Sequence, residues 1–293
     1  MTIKLSTRPI HTFSIVGCDP AAGEIGIAVQ SKFLAVGNVV PWAKGGVGGI
    51  ATQSWANLRY GTEGLVLLEQ GLHPQEVLDR LTQEDEGCDS RQGGSVDIKG
   101  RSATFTGKDC AEWAGGIAGE NFAAQGNILV SSETVNKMAE TFQKTDGDLT
   151  TKLMAALAAA QRAGGDRRGM QSAALYVVKE GAGYGGGSDR LVDIRVDDHP
   201  HPFEELERIL GLYRFYLQKT KPGNVVPIEG EAAKLILSVL KKKNVYTGDI
   251  DAAWNEELHE LFLQFSLVEN YDERLAPYGL VDREVLDFMR DNY

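Results

Sequence analysis

The chain has 293 residues, 42% of them hydrophobic, and a formal net charge of −11. That length accommodates one large or two ordinary domains with a proper core, and the acidic balance excludes a nonspecific nucleic-acid binder, which needs Lys and Arg to neutralise phosphates. No run approaches the roughly 18 apolar residues that a membrane-spanning helix requires.

Residues 1–11 read as a polar, irregular tail or pro-segment. Lys4, Arg8 and Pro9 interrupt it, and it lacks the apolar stretch of a secretory signal. From Thr12 the pattern becomes regular. Phe13, Ile15 and Gly17 alternate with Ser14 and Val16, Pro20-Ala-Ala-Gly23 supplies a turn, and Ile25, Ile27 and Val29 alternate with small residues. This predicts a tight hairpin with a buried face. Val47 to Ser54 is expected to be a third strand. Helices are expected over 62–71, with Thr62 as cap, and over 74–85, with Pro74 in the first turn. Strand patterns follow at 94–98, 102–106 and 121–130, with Lys99-Gly100 as a turn. A helix begins at Ser132, and an Ala-rich helix spans 149–163 before Gly164-Gly165 ends it. Residues 171–179 and 191–196 are strands, and 202–219 is a helix. The alternation of strand groups with helix pairs predicts an α/β (α+β) fold, since helices must cover apolar sheets.

Gly accounts for 34 of the 293 residues, concentrated before residue 190, where it marks strand ends and close backbone packing. Cys18, Cys88 and Cys110 are odd in number and lack CxxC spacing, which reads as reduced thiols in a cytoplasmic protein.

Thr12 carries the sharpest chemical signal. A hydroxyl residue opening a first strand, with Lys32 just past the second, is the arrangement of enzymes whose nucleophile is their own N-terminal residue. A threonine hydroxyl needs a base, and an α-amino group with a pKa of about 7.7–8.0 can be that base. Lys32 would stabilise negative charge beside it, unless it is simply a surface lysine. Ser14 lies on the same strand face. Gln53-Ser54-Trp55-Ala56-Asn57 ends a strand before a helix, so Asn57 or backbone N–H groups there could hold an oxyanion; turn formation and capping explain the same residues. Asp197-Asp198-His199-Pro-His201 has metal-ligand types, but a strand end and a helix start account for it, and no metal or other cofactor is expected. Gly181 to Ser188 lacks the GK[ST] ending of a phosphate loop.

The stretch from His11 to Asn57 resembles a bacterial family of unknown function assigned to the N-terminal-nucleophile (Ntn) hydrolase superfamily. The likeness continues through Tyr60-Gly61, Arg91-Gln92-Gly93, Gln125-Gly126-Asn127, residues 164–172 and Val196-Asp197-Asp198-His199. It implies a four-layer α-β-β-α Ntn-hydrolase-like sandwich over 12–219. It also implies an amidohydrolase acting on a small or peptide-like amide, with Thr12, Lys32, Asn57, Asp166 and Ser172 in catalytic roles. In that scheme Asp166 and Ser172 orient the terminal amine, while Gln53, Ser54, Arg167 and Gln171 contact substrate. A non-catalytic Ntn-like scaffold that binds a small ligand or cell-wall fragment is the alternative. The Gly-rich sandwich would also expose sheet surface able to pair in a homo-oligomer.

Lys219 to Asn224 reads as a linker. Beyond it three helical stripes follow: Leu235, Ile236, Val239 and Leu240; then Leu258, Leu261, Phe262 and Phe265; then Val285, Leu286 and Met289. With Tyr246-Thr-Gly248, Ile250-Asp251 and Trp254, residues 224–293 resemble a small three-helix peptidoglycan-binding-like domain.

Overall fold

The computed structural model describes residues 12–293; the tail or pro-segment expected over 1–11 lies outside the described residues. The chain divides into two compact units, one ending at Arg208 and one spanning Ile209–Tyr293. The first unit runs β1 (Thr12–Asp19), β2 (Glu24–Ser31), β3 (Pro41–Lys44), β4 (Gly48–Ser54), α1 (Arg59–Glu69), α2 (Pro74–Gln83), β5 (Arg91–Asp97), β6 (Ser102–Thr106), β7 (Gly115–Gly119), β8 (Phe122–Gly126), α3 (Glu133–Lys144), α4 (Leu149–Arg162), β9 (Ser172–Lys179) and β10 (Arg190–Val196). Helix α5 (Pro202–Leu217) carries the chain across the division. The second unit continues with β11 (Val225–Pro227), α6 (Gly230–Lys242), α7 (Glu256–Val268), β12 (Leu280–Asp282) and α8 (Arg283–Asn292). The chain is thus mixed α/β, with several sheets and eight α-helices among the described residues.

In the first unit an antiparallel six-stranded sheet has the order β10-β9-β2-β1-β8-β7, and a second, four-stranded sheet has the order β3-β4-β5-β6. The hairpin expected at the start forms as β1 and β2, in register from Thr12 opposite Ser31 to Asp19 opposite Glu24. Gly23 turns it at φ 71°, a conformation that glycine adopts at no steric cost. The period of two then sorts side chains between two environments. One face of β1 and β2 packs on α3 and α4, and at Gly26 an added Cβ would stand 2.4 Å from a Leu153 methyl. The other face packs on the second sheet: Val16, Cys18, Ile25, Ile27 and Val29 share a core with Ala51 of β4 and Val96 of β5. Each of these larger aliphatic side chains contributes about 1.5–3 kcal/mol by leaving water. The outer face of the four-stranded sheet is covered by α1 and α2, where Ile50 meets Tyr60, Leu68, Val77 and Leu81.

Several boundaries differ from the sequence reading. Helix α1 starts at Arg59, three residues before Thr62, whose hydroxyl donates back to the Arg59 carbonyl rather than capping. The strand expected over 121–130 stops at Gly126, because Ile128 turns the chain at φ 49°. Strands β3 and β7 carried no usable alternation, since Pro41 opens the first and glycines fill the second. Both lie at sheet edges, where such residues are tolerated.

The second unit packs α6, α7 and α8 around Ile236, Leu240, Phe262, Phe265 and Met289, with Phe215 from the end of α5 stacked on Phe288 at 4.1 Å. A two-stranded ribbon, β11 with β12, accompanies the three helical stripes. Among the described residues no helix is long and apolar enough to cross a membrane.

Candidate functional site

Thr12 begins the central strand of the six-stranded sheet, and its row across the sheet is a row of hydroxyls. It pairs with Ser31 of β2, and Ser31 pairs with Ser172 of β9. Thr12 Oγ1 donates to Ser31 Oγ at 3.0 Å. Directly opposed residues point to one face, here the face toward the second sheet. No His, Asp or Glu among the described residues is hydrogen-bonded to the Thr12 hydroxyl.

The Thr12 carbonyl is held from two sides. The Asn127 N–H donates to it at 3.0 Å, and Gln53 Nε2 at 3.3 Å. Gln53 belongs to a fully buried polar network between the sheets. Ser14 Oγ donates to Gln53 Oε1 at 2.7 Å, Gln53 Nε2 donates to Gln92 Oε1 at 2.8 Å, and Asn127 Nδ2 donates to the same oxygen at 2.8 Å. Gln92 Nε2 donates in turn to the Gly126 carbonyl at 2.8 Å, and Gln125 Nε2 to Ser14 Oγ at 2.7 Å. Such a network is costly to bury unless satisfied and rigid once it is; its members are paired as described except at Gln125 Oε1, which is buried without a hydrogen-bond partner. It fixes the position of the first β1 residue.

The loop between α4 and β9 closes over the same end of the sheet. Asp166, 4% exposed, accepts the Lys32 N–H at 3.0 Å and the Arg168 guanidinium at 2.6 Å. The Gln171 N–H donates to the Ser31 carbonyl at 2.9 Å, and Gln171 Nε2 to Asp198. The exposed Lys32 ammonium donates to the Met170 carbonyl at 3.1 Å. Ser172 Oγ donates to the Phe33 carbonyl and accepts the Val36 N–H at 3.1 Å, so it anchors the segment following Lys32. Arg167 reaches the Glu112 carbonyl at 3.1 Å.

Thr12, Gln53, Lys32, Asp166, Gln171 and Ser172 are thus joined by direct hydrogen bonds or adjacent backbone. Asn57 belongs to another cluster: its amide donates to Asp85 at 2.9 Å, its Oδ1 accepts the Arg59 N–H, and Arg91 Nε donates to Asp85 at 2.9 Å. Burial alone would raise the Asp85 carboxyl, but hydrogen bonds from Arg91, Asn57 and the Gly87 N–H outweigh it and hold that group well below the usual carboxylate range. Ser54, buried at φ 65°, lies on this side too, near the Cys110 thiol, which donates to the Arg91 carbonyl at 3.2 Å. Burial raises that thiol, which suits a structural cysteine rather than a nucleophile. No cluster of metal-ligating side chains occurs among the described residues.

The sequence reading gave no site role to Ser31, Gln92, Gln125 or Asn127. The available signal was glutamine at inward positions of strands otherwise built from small residues, since a polar side chain there must find partners inside.

Residues 12–206 match the family described as "Family of unknown function (DUF1028)", and residues 216–289 match the one described as "Putative peptidoglycan binding domain". No curated protein matches the chain. Among solved structures, the chain is similar to the DUF1028 protein SPO2555 from Silicibacter pomeroyi, at 30% identity and a TM-score of 0.63, over 76% of this chain and 92% of that one. The match to the family of unknown function DUF1028 takes in well over half of the sequence, and the chain belongs to that family.

Proposed function

We propose that the first unit is an Ntn-type amidohydrolase acting on a small or peptide-like amide, and that its two sheets and flanking helix pairs form the α-β-β-α sandwich of that superfamily. The observation that carries this reading is Thr12. It opens one of the two central strands, the family match starts at the same residue, and among the described residues no His, Asp or Glu is hydrogen-bonded to its hydroxyl. A free Thr12 amine would take the hydroxyl proton through water while Oγ1 adds to the substrate carbonyl. Collapse of the tetrahedral adduct would expel the amine leaving group, protonated by the same base, and water would then hydrolyse the ester. The Lys32 ammonium would supply positive charge beside the developing oxyanion, and Asp166 and Ser172 would hold the segments on either side of it. The free thiols Cys18, Cys88 and Cys110 support a reducing, cytoplasmic setting.

One observation favours a second reading, a non-catalytic scaffold that binds a small ligand or a cell-wall fragment: Thr12 is fully buried. One experiment separates the two. A chain shortened to start Met-Thr12, from which the initiator methionine is removed, should be labelled at Thr12 by a β-lactone, and its Thr12→Ala variant should not be. Native protein should show, by intact mass, cleavage before Thr12 that is lost in Thr12→Val. A well-folded shortened chain inert to the probe, together with uncleaved native protein, would leave the scaffold reading standing.

A further inference from the structure

The terminal strands of the two sheets, β3 and β10, border an open cavity of about 280 Å³. Trp42 of β3 and Tyr176 of β9 supply aromatic walls, and β10 contributes Arg190, Asp193 and Arg195. The charges are unevenly matched: two guanidinium groups share one carboxylate. Arg190 Nη1 is 3.4 Å and Arg195 Nε 3.7 Å from the Asp193 oxygens, longer than the roughly 2.7–2.9 Å of a well-formed charge-assisted bond. Their side chains are 66% and 43% exposed, so their remaining donors are reachable from solvent. Among the lining residues positive charge is thus in excess on a chain of net charge −11, with the Asp189 carboxylate, which binds the Gly45 and Gly181 N–H groups, as the next acidic neighbour of Tyr176.

The walls are held in place. Trp42 Nε1 donates to the Val39 carbonyl at 2.9 Å, which fixes the indole plane. At Gly37 an added Cβ would lie 2.5 Å from the Ala174 methyl and 2.8 Å from Arg195 Cδ, so the backbone rests directly on the arginine stem. That segment is the one Ser172 anchors through the Val36 N–H.

We propose that this cavity binds a small organic anion, a carboxylate or phosphate monoester carried on a flat apolar body. The two guanidinium groups would take the anion in place of Asp193, and the aromatic walls would take the body. Guanidinium forks match both anions geometrically, and a volume of about 280 Å³, just below the usual range of roughly 300–1,000 Å³, suits a small ligand. The site is independent of the chemistry assigned to Thr12.

Calorimetric titration of the full chain with benzoate, phenyl phosphate and benzyl alcohol tests it. At least one anion should bind and the neutral alcohol should not; the preferred anion tells a carboxylate ligand from a phosphate one. Arg190→Gln with Arg195→Gln should weaken the anion about ten-fold or more. Asp193→Asn should tighten it several-fold, because it removes the competing carboxylate while keeping side-chain size. The inference is overturned if neither anion binds at about 10 mM, a concentration that detects even millimolar affinity. It is equally overturned if benzyl alcohol binds as well as benzoate, if the double variant keeps its affinity, or if Asp193→Asn weakens binding.

Discussion

Thr12 and Ser31 face each other across β1 and β2, and the threonine hydroxyl donates to the serine hydroxyl at 3.0 Å with both residues fully buried. The pair ties the first residue of the central strand to the residue just before Lys32. Ser31→Ala removes the acceptor of the buried Thr12 hydroxyl. That should lower stability by about 1–3 kcal/mol, seen as a reduced urea midpoint with an unchanged m-value. An unchanged midpoint would mean that the Thr12 hydroxyl finds another acceptor at no cost.

Gln92 is the hub of the network behind that pair. Its Oε1 accepts from Gln53 and Asn127, and its Nε2 donates to Thr106 Oγ1 and the Gly126 carbonyl. Gln92→Met keeps length and bulk but removes the acceptor shared by Gln53 Nε2 and Asn127 Nδ2, and Gln53 Nε2 and the Asn127 backbone N–H also hold the Thr12 carbonyl. The expected loss exceeds that of Ser31→Ala, about 3 kcal/mol or more. Amide exchange should accelerate at Asn127, whose N–H donates to that carbonyl. Exchange at Asn127 no faster than in the parent chain would show that the network does not position Thr12.

How much of this was legible beforehand follows from periodicity. The β1–β2 hairpin and β9 announced themselves through alternation or a continuous apolar run, and the stripes Leu235 to Leu240 and Leu258 to Phe265 gave α6 and α7. What stayed hidden was set by tertiary partners. Pro41 in β3 and the glycines of β7 become strand residues only because a neighbouring edge offers hydrogen bonds. Asn57, read as a catalytic residue, and Gln53, read as a substrate contact, lie four residues apart in the sequence and were expected in one site. The chain turns between them at Ser54, so one amide points to Thr12 and the other to Asp85. No local pattern encodes that separation.

Asp85 provides a pH test. Its folded carboxyl is depressed below the unfolded value of about 3.9. The stabilisation it supplies is therefore fully present above that value and is lost as pH falls through it toward the lower folded value. Asp85→Asn should be less stable than the parent chain at pH 7 and pH 5, with the gap narrowing below about pH 4. Thermal midpoints at pH 7, 5 and 3.5 would check this, and a gap that widens on acidification would contradict the assignment.

The second unit offers a test of its own electrostatics. Arg274 is 3% exposed and Asp282 fully buried, with Nη1 donating to Oδ2 at 3.0 Å. Arg274 also donates to the Phe215 and Arg214 carbonyls and pairs with Glu284, so all three guanidinium nitrogens are engaged. Arg274→Met fills most of the volume but leaves the Asp282 charge buried with only Asn224 and the Glu284 N–H as donors. Breaking a buried pair in this way costs about 3–5 kcal/mol. Arg274→Lys keeps the charge and loses the fork, so it should fall between the two. Adding Asp282→Asn to Arg274→Met should recover part of the loss, because it removes the stranded charge. Hydrogen exchange locates the effect: amides of α8 should lose protection while those of β1 and β2 keep theirs, as expected for units with separate cores. Equal loss of protection in β1 and α8 would show instead that the two units unfold together.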